Sequence, residues 1–190
     1  DIIPASELSY IYGNPPFVGY KLQSREQKED LCELFSAKNL DYVAGWYKKS
    51  VIYMQHTQIK AAFVSTNSIT QGEQVTAIWK DLCKNYHVHI DFAHRTFTWG
   101  SESQKQAHVH CVIIGFSTDT NIGDKVIFDG KNKITAKHIN YYLIDAPDLF
   151  IEKRSNSICN AEPMIYGNEP REGGFLIISP KERMEIIKET

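Results

Sequence analysis

Tyr10-Ile11-Tyr12-Gly13-Asn14-Pro15-Pro16-Phe17 is a short apolar run that stops at a stiff turn. Ser9 to Gly13 reads as a short buried strand. Each proline fixes φ at about −65° and lacks an N–H. The residue before each proline is pushed toward extended conformations. The turn therefore offers acceptors rather than donors. Asn14 contributes a side-chain oxygen, Pro15 a carbonyl oxygen and Phe17 a ring. Two such acceptors can take both hydrogens of a planar –NH2 group, such as the one on adenine, and the ring can lie against the base. The same four residues also make an ordinary strand-ending turn, and short motifs alone do not decide between the two.

Downstream, Ser24 and Gln27 have capping-box spacing, and a helix over 25–37 comes next with Leu31, Leu34 and Phe35 on one face. Asn39 is placed to cap a second helix over 40–58. Ala61 to Thr66 is an apolar, β-branched run suited to a parallel strand covered on both faces. A helix over 72–85 turns Val75, Ile78, Trp79 and Leu82 inward. His87 to His94 alternates as a strand, with Val88, Ile90 and Phe92 on one side. Ala107 to Phe116 is a further strand, joined to the previous one without a helix. That makes an antiparallel final hairpin, since a parallel connection needs a longer crossover. The order strand–helix–strand–helix–strand predicts a three-layer α/β fold with a mainly parallel sheet. Beyond Ser117, Asp129-Gly130 marks a turn between short β-like runs, and Asp145-Ala146-Pro147 breaks structure. Phe175 to Ile178 reads as a short strand, and Ser179-Pro180-Lys181-Glu182 opens a last helix. A boundary near Leu143 divides a domain over 1–143 from a small β-containing appendage over 144–190.

The chain has 190 residues, a net charge of −2 and a sequence pI of about 6.4. This argues against a standalone nucleic-acid binder, which is typically strongly basic. No apolar run approaches the ~18 residues that span a membrane, and no signal-peptide pattern opens the chain. Cys32, Cys83, Cys111 and Cys159 show no C-x-x-C spacing, which suits mostly buried free thiols in a cytoplasmic protein. The chain starts at Asp1 with a strand almost at once, which reads as a piece of a longer protein.

Ligands of open α/β sheets bind beyond the carboxyl ends of strands. Ser65 and Asn67 end one strand there and are candidates for a cofactor or substrate rim, with Asn14 on the same rim. Ser68 or Thr70 as helix caps is the competing reading of that segment. His87-Val88-His89 and His108-Val109-His110 have the spacing of strand-borne metal ligands, but no carboxylate or thiolate is placed to join them, and no metal is assigned. Arg95, Lys131 and Lys133 are candidates for phosphate contacts. Lys137, Lys153 and Arg154 extend the same loose basic group, which also reads as a solvated face.

From Asn14 onward the chain resembles the amino-methyltransferases that use S-adenosylmethionine and carry an Asn-Pro-Pro-(Tyr/Phe) motif. More narrowly, it resembles the MmeI-like family of fused type II restriction–modification enzymes. The closer match runs through Gly13–Gly19, Lys38–Ala44, Ala61–Val75, Phe92–Phe97, Val109–Ser117 and Pro163–Asn168. The resemblance implies the C-terminal half of a class I (Rossmann-like) methyltransferase sheet, followed by the start of a target-recognition domain. It implies double-stranded DNA as substrate and adenine N6 as acceptor, with the base flipped out of the duplex. Asn14, Pro15, Pro16 and Phe17 become the catalytic set, and Phe17 and Phe97 the aromatics against the base, while Trp99 reads as plain packing. The glycine-rich cofactor loop and a nuclease are expected upstream of Asp1, so the piece alone is expected to be inactive. Its exposed sheet edge is expected to invite self-association. A protein-glutamine or RNA amino-methyltransferase, or a non-catalytic module on the same fold, fits the tetrapeptide equally well.

Overall fold

The computed structural model describes residues 3–99, 109–119, 123–154, 159 and 178–189. The chain divides into two compact units, Asp1–Lys153 and Arg154–Thr190. The first therefore continues ten residues past Leu143, and Leu143 itself is buried in its core.

Among the described residues, six strands build one sheet: β1 (Tyr10–Gly13), β2 (Lys60–Thr66), β3 (His89–Trp99), β4 (Val109–Ser117), β5 (Lys125–Asp129) and β6 (Asn132–Ala136). Their spatial order is β1-β2-β4-β3-β5-β6. β1–β2 and β3–β5 pair parallel; β2–β4, β3–β4 and β5–β6 pair antiparallel. The expected antiparallel hairpin is therefore present as β3–β4. The sheet is mixed rather than mainly parallel. β2 and β3 do point the same way, but β4 runs between them in the opposite sense. β5 and β6 meet at a turn where Gly130 adopts φ 59°, a left-handed conformation that glycine takes without strain. This hairpin extends the same sheet.

Among the described residues, three α-helices belong to this unit: α1 (Arg25–Leu34), α2 (Ala44–Tyr53) and α3 (Gly72–Tyr86). Ser24 caps α1 with the full capping box: its Oγ accepts from Gln27 N–H and Gln27 Oε1 accepts from Ser24 N–H. α3 buries Val75, Ile78, Trp79 and Leu82 completely, as its periodicity predicts. α2 is shorter than expected. Asn39 sits at φ 66° and does not cap it; residues 40–43 make a connecting turn, and the helix ends before His56, which is also left-handed.

The core is an aromatic seam between these helices and one face of the sheet. Tyr47 on α2 lies 5.3 Å from Phe63, 5.2 Å from Phe116 and 5.1 Å from Trp79 between ring centres. Trp79 stacks on Tyr141. The polar ends of these rings are satisfied, as burial demands: Trp79 Nε1 donates to Ile69 O at 2.8 Å and Tyr141 Oη to Val88 O at 2.5 Å. Leu31 of α1 packs beside Gly45 of α2, extending the same layer. The second helical layer of a three-layer arrangement is not among the described residues of this unit.

The opposite face of the sheet explains two departures from the sequence reading. Tyr10 and Tyr12 of β1 are 68% and 83% exposed. The expectation of a buried strand fails here because, among the described residues, β1 is the outermost strand and pairs with β2 alone. On β3, a register shift between Ile90 and Phe92 breaks the alternation. This bulge leaves Ile90 in the core and turns Phe92 to the other face, where it pairs with Gly115. One extra residue in a strand moves all that come after it to the opposite side.

Only Cys111 of the four cysteines is buried; Cys83 is half-buried, and Cys32 and Cys159 are exposed. In the second unit, α4 (Pro180–Glu189) carries the expected reciprocal cap: Glu182 N–H donates to Ser179 Oγ and Ser179 N–H to Glu182 Oε2. The strand expected over 175–178 lies outside the described residues except for Ile178. Among the described residues, no helix is long and apolar enough to cross a membrane.

Candidate active site at the strand ends

β1, β2 and β3 all point toward one rim of the sheet, and the Asn14–Phe17 turn leaves β1 there. Asn14 is exposed, Pro15 buried, Pro16 exposed and Phe17 half-buried. The described residues give the Asn14 amide no hydrogen-bond partner. The turn is anchored on one side by Pro15 inside the fold and leaves its polar group to solvent.

The segment C-terminal to the turn is held tightly. The Val18 carbonyl accepts Tyr42 N–H at 2.9 Å and Gln23 Nε2 at 3.0 Å. The same Gln23 amide donates to Leu40 O at 2.8 Å. Segment 40–42 is in turn tied to the exit of β2. Asp41 Oδ2 accepts from Thr66 Oγ1 at 2.9 Å and from Ser68 Oγ, and Asp41 N–H donates to Gln74 Oε1 at 3.3 Å. Thr66 and Ser68 also lie 2.8 Å apart through their hydroxyls. Gln23 and Asp41 were not singled out from sequence. Apart from Val18, their partners lie 17 to 33 positions away, and no local pattern marks them.

The two rim candidates separate. Ser65 is fully buried, and its hydroxyl bonds Tyr47 Oη at 2.7 Å on the helix side. Burial pushes the Tyr47 phenol well above its usual range, so the pair remains neutral and serves the helix–sheet seam. Asn67 is half-buried at the rim, where it starts a 3-10 turn, Asn67–Thr70. Neither Ser68 nor Thr70 caps α3. Ser68 is engaged with Asp41, and Thr70 Oγ1 donates to Asn67 O.

Phe97 lies half-buried near the far end of β3, edge-on to His94 at 4.9 Å and tilted against Trp99 at 6.2 Å. It pairs with Cys111, which pairs with Thr66, so all three form one row across the sheet. β2 and β4 stand between the strands of Phe17 and Phe97, a lateral offset of roughly 14 Å at normal strand spacing.

Arg95 is committed to the fold. Its Nε donates to Leu143 O at 2.9 Å and its Nη1 to Asp129 Oδ2 at 3.0 Å. Lys131 and Lys133 are exposed at the β5–β6 turn. Because β5 is parallel to β3, that turn faces the same rim as Asn14. His89 bonds Asp119 O, His87 closes α3 in a left-handed conformation, His110 is exposed, and His108 lies outside the described residues. Among the described residues, no group of three or more candidate metal ligands forms.

At the opposite end of the sheet, the β3 bulge buries the Asp91 carboxylate without a hydrogen-bond partner, beside a likewise unpartnered Ser117 hydroxyl. Burial raises the Asp91 pKa, partly countered by Ser117, His89, Lys125 and Lys60. Burial also lowers that of Lys125, whose amine donates to Ile90 O at 2.5 Å.

Residues 2–129 match the family described as MmeI, DNA-methyltransferase domain. The chain is 36% identical over 194 residues to DNA methyltransferase A of Bacillus subtilis (strain 168), an alignment covering 98% of this chain and 22% of that protein. It is 42% identical, with a TM-score of 0.88, to the type IIL restriction-modification enzyme MmeI solved in complex with DNA, over 99% of this chain and 26% of that one. The chain thus spans about a quarter of the length of these relatives. By sequence and by fold, it belongs to the MmeI family of DNA-methyltransferase domains.

Proposed function

We propose that this chain is the target-base half of a site-specific DNA adenine-N6 methyltransferase of the fused restriction–modification type. The observation that carries the reading is the exposed Asn14 amide, unpaired among the described residues, on a proline-locked turn at the strand-end rim. An adenine amino nitrogen is a poor nucleophile because its lone pair is delocalised into the ring. Asn14 Oδ1 and Pro15 O accept hydrogen bonds from its two N–H groups and favour a pyramidal nitrogen whose lone pair is free to attack; the methylated nitrogen loses its extra proton to solvent after the transfer. These bonds strengthen as positive charge grows on nitrogen, so they stabilise the transition state more than the ground state. Phe17 stacks on the extruded base and offsets the cost of flipping it by about 1–3 kcal/mol. Phe97 closes the far side of the base site.

S-adenosylmethionine, when bound, supplies an electrophilic sulfonium methyl group. The residues present suit the accepting side of that chemistry: the rim offers neutral acceptors and aromatic surface, with Asn67 as a contact toward the donor. The glycine-rich loop that holds the donor lies in another part of the polypeptide, and the chain by itself is inactive. Lys131 and Lys133 touch DNA phosphates. Residues 1–143 belong to the catalytic domain, and 144–190 lead into target recognition.

The test is Asn14→Ala in the full-length protein, assayed on DNA, RNA and protein substrates. Loss of one such charge-stabilising contact should lower kcat on DNA by about 100–1000-fold. Methylation at near wild-type rate sinks the mechanism. Methylation of RNA or protein instead of DNA transfers the reading to another substrate class.

A further inference from the structure

We propose that Asp41 is the positioning residue that holds the base-gripping turn in register with the rest of the rim. The inference rests on the methyltransferase reading of Asn14. The geometry is a closed chain of contacts. The Val18 carbonyl, four residues after Asn14, is held by Tyr42 N–H and by Gln23. Tyr42 is the neighbour of Asp41. The Asp41 carboxylate is held by both hydroxyls at the β2 exit, Thr66 and Ser68, and its backbone by Gln74 of α3. β1 and β2 are already paired along four residues up to Gly13 and Phe63. Beyond that point no backbone ladder joins the two exits, and Asp41 supplies the tie in its place. Its other oxygen, Oδ1, faces Gly19, 3.7 Å from where a β-carbon would stand. The carboxylate therefore bonds the β2 exit, while its neighbour Tyr42 holds the turn segment through Val18 O.

The contacts require an acceptor at Oδ2, not a negative charge. Asparagine can present its carbonyl oxygen to both hydroxyls and its NH2 toward Gly19; alanine can do neither. That distinction separates positioning from chemistry. Displacing a reacting group by about 1 Å can reduce turnover 100-fold without altering substrate binding.

The experiment uses the full-length protein as wild type, Asp41→Ala, Asp41→Asn and the double variant Thr66→Val/Ser68→Ala. The first readout is kcat and KM for DNA methylation. The second is amide hydrogen exchange over residues 18–23 and 40–42, with α3 as internal reference. Asp41→Ala and the double variant should lower kcat by about 10–100-fold with KM changed less than about threefold. They should also speed exchange in both segments while α3 stays protected. Asp41→Asn should restore both readouts. The proposal is overturned if Asp41→Ala leaves exchange in these segments unchanged, or if Asp41→Asn is as damaged as Asp41→Ala. Loosened segments in a protein whose wild type methylates no DNA would support the tie and refute the proposed function instead.

Discussion

Gly115→Ala should destabilise the chain through one neighbour, Phe92. A β-carbon at Gly115 would stand 2.1, 2.3 and 2.7 Å from three atoms of the Phe92 ring. These separations are far inside van der Waals contact. The ring must swing outward, and as it is already 37% exposed, it has room to do so. Uncovering on the order of 80 Å² of aromatic surface costs roughly 2 kcal/mol at about 25 cal/mol per Å². Replacing glycine by alanine in a strand returns about 0.5–1 kcal/mol of backbone entropy. The expected net loss is about 1–1.5 kcal/mol. The sharper test is a double-mutant cycle with Phe92→Ala, read by urea unfolding. In the Phe92→Ala background the clash is gone, so Gly115→Ala should be neutral or stabilising by about 0.5–1 kcal/mol. A coupling energy near 2 kcal/mol is expected. If Gly115→Ala costs the same in both backgrounds, the ring is not what the glycine accommodates.

Ser65→Ala should lower stability by about 1–3 kcal/mol, because it leaves the Tyr47 hydroxyl buried without its partner; calorimetry would detect it, and an unchanged melting temperature would return Ser65 to the rim. Asp91→Asn should become increasingly stabilising relative to wild type as pH rises. The buried carboxyl has a raised pKa in the fold, so its stability contribution is fully present below about pH 4, the unfolded value, and is lost as pH rises through the folded one. A difference in melting temperature that stays flat across that range would contradict this. Lys131→Ala with Lys133→Ala should reduce the salt-dependence slope of DNA binding by about 2, whereas Arg95→Ala should weaken the fold and leave that slope unchanged. Light scattering of the isolated chain should show self-association through the open side of β1, where a clean monomer at high concentration would argue against an edge contact.

Local chemistry was legible wherever it acts within one turn of chain. The Ser24–Gln27 box, the inward stripe of α3, the Asp129-Gly130 turn and the Ser179–Glu182 cap each need only residues within about four positions of one another. The Asn14–Phe17 turn was legible for the same reason: proline stiffness is a property of the residue. Asn39 misled because a residue suited to capping is also suited to the left-handed conformation it takes here. Phe92 misled because a bulge at Asp91 reverses the facing of the residues that follow it, up to a second register shift between His94 and Phe97. Strand order could not be read from a list of strands, since the same hairpin pairing allows β4 on either side of β3. Asp41 and Gln23 were silent because their partners are brought near only by tertiary folding.

The placement of β4 has a consequence for how the polypeptide matures. The strand that arrives last among β1 to β4 becomes the central rib of the sheet, flanked by β2 and β3. About 43 positions separate the end of β2 from the start of β4, which a ribosome covers in roughly 2–9 seconds. Throughout that interval β2 has a bare inner flank of backbone donors and acceptors. β3 cannot fill it without barring its own successor. The nascent chain must therefore wait with its centre vacant, and a chaperone that shields β2 during this window would act where misassembly is easiest.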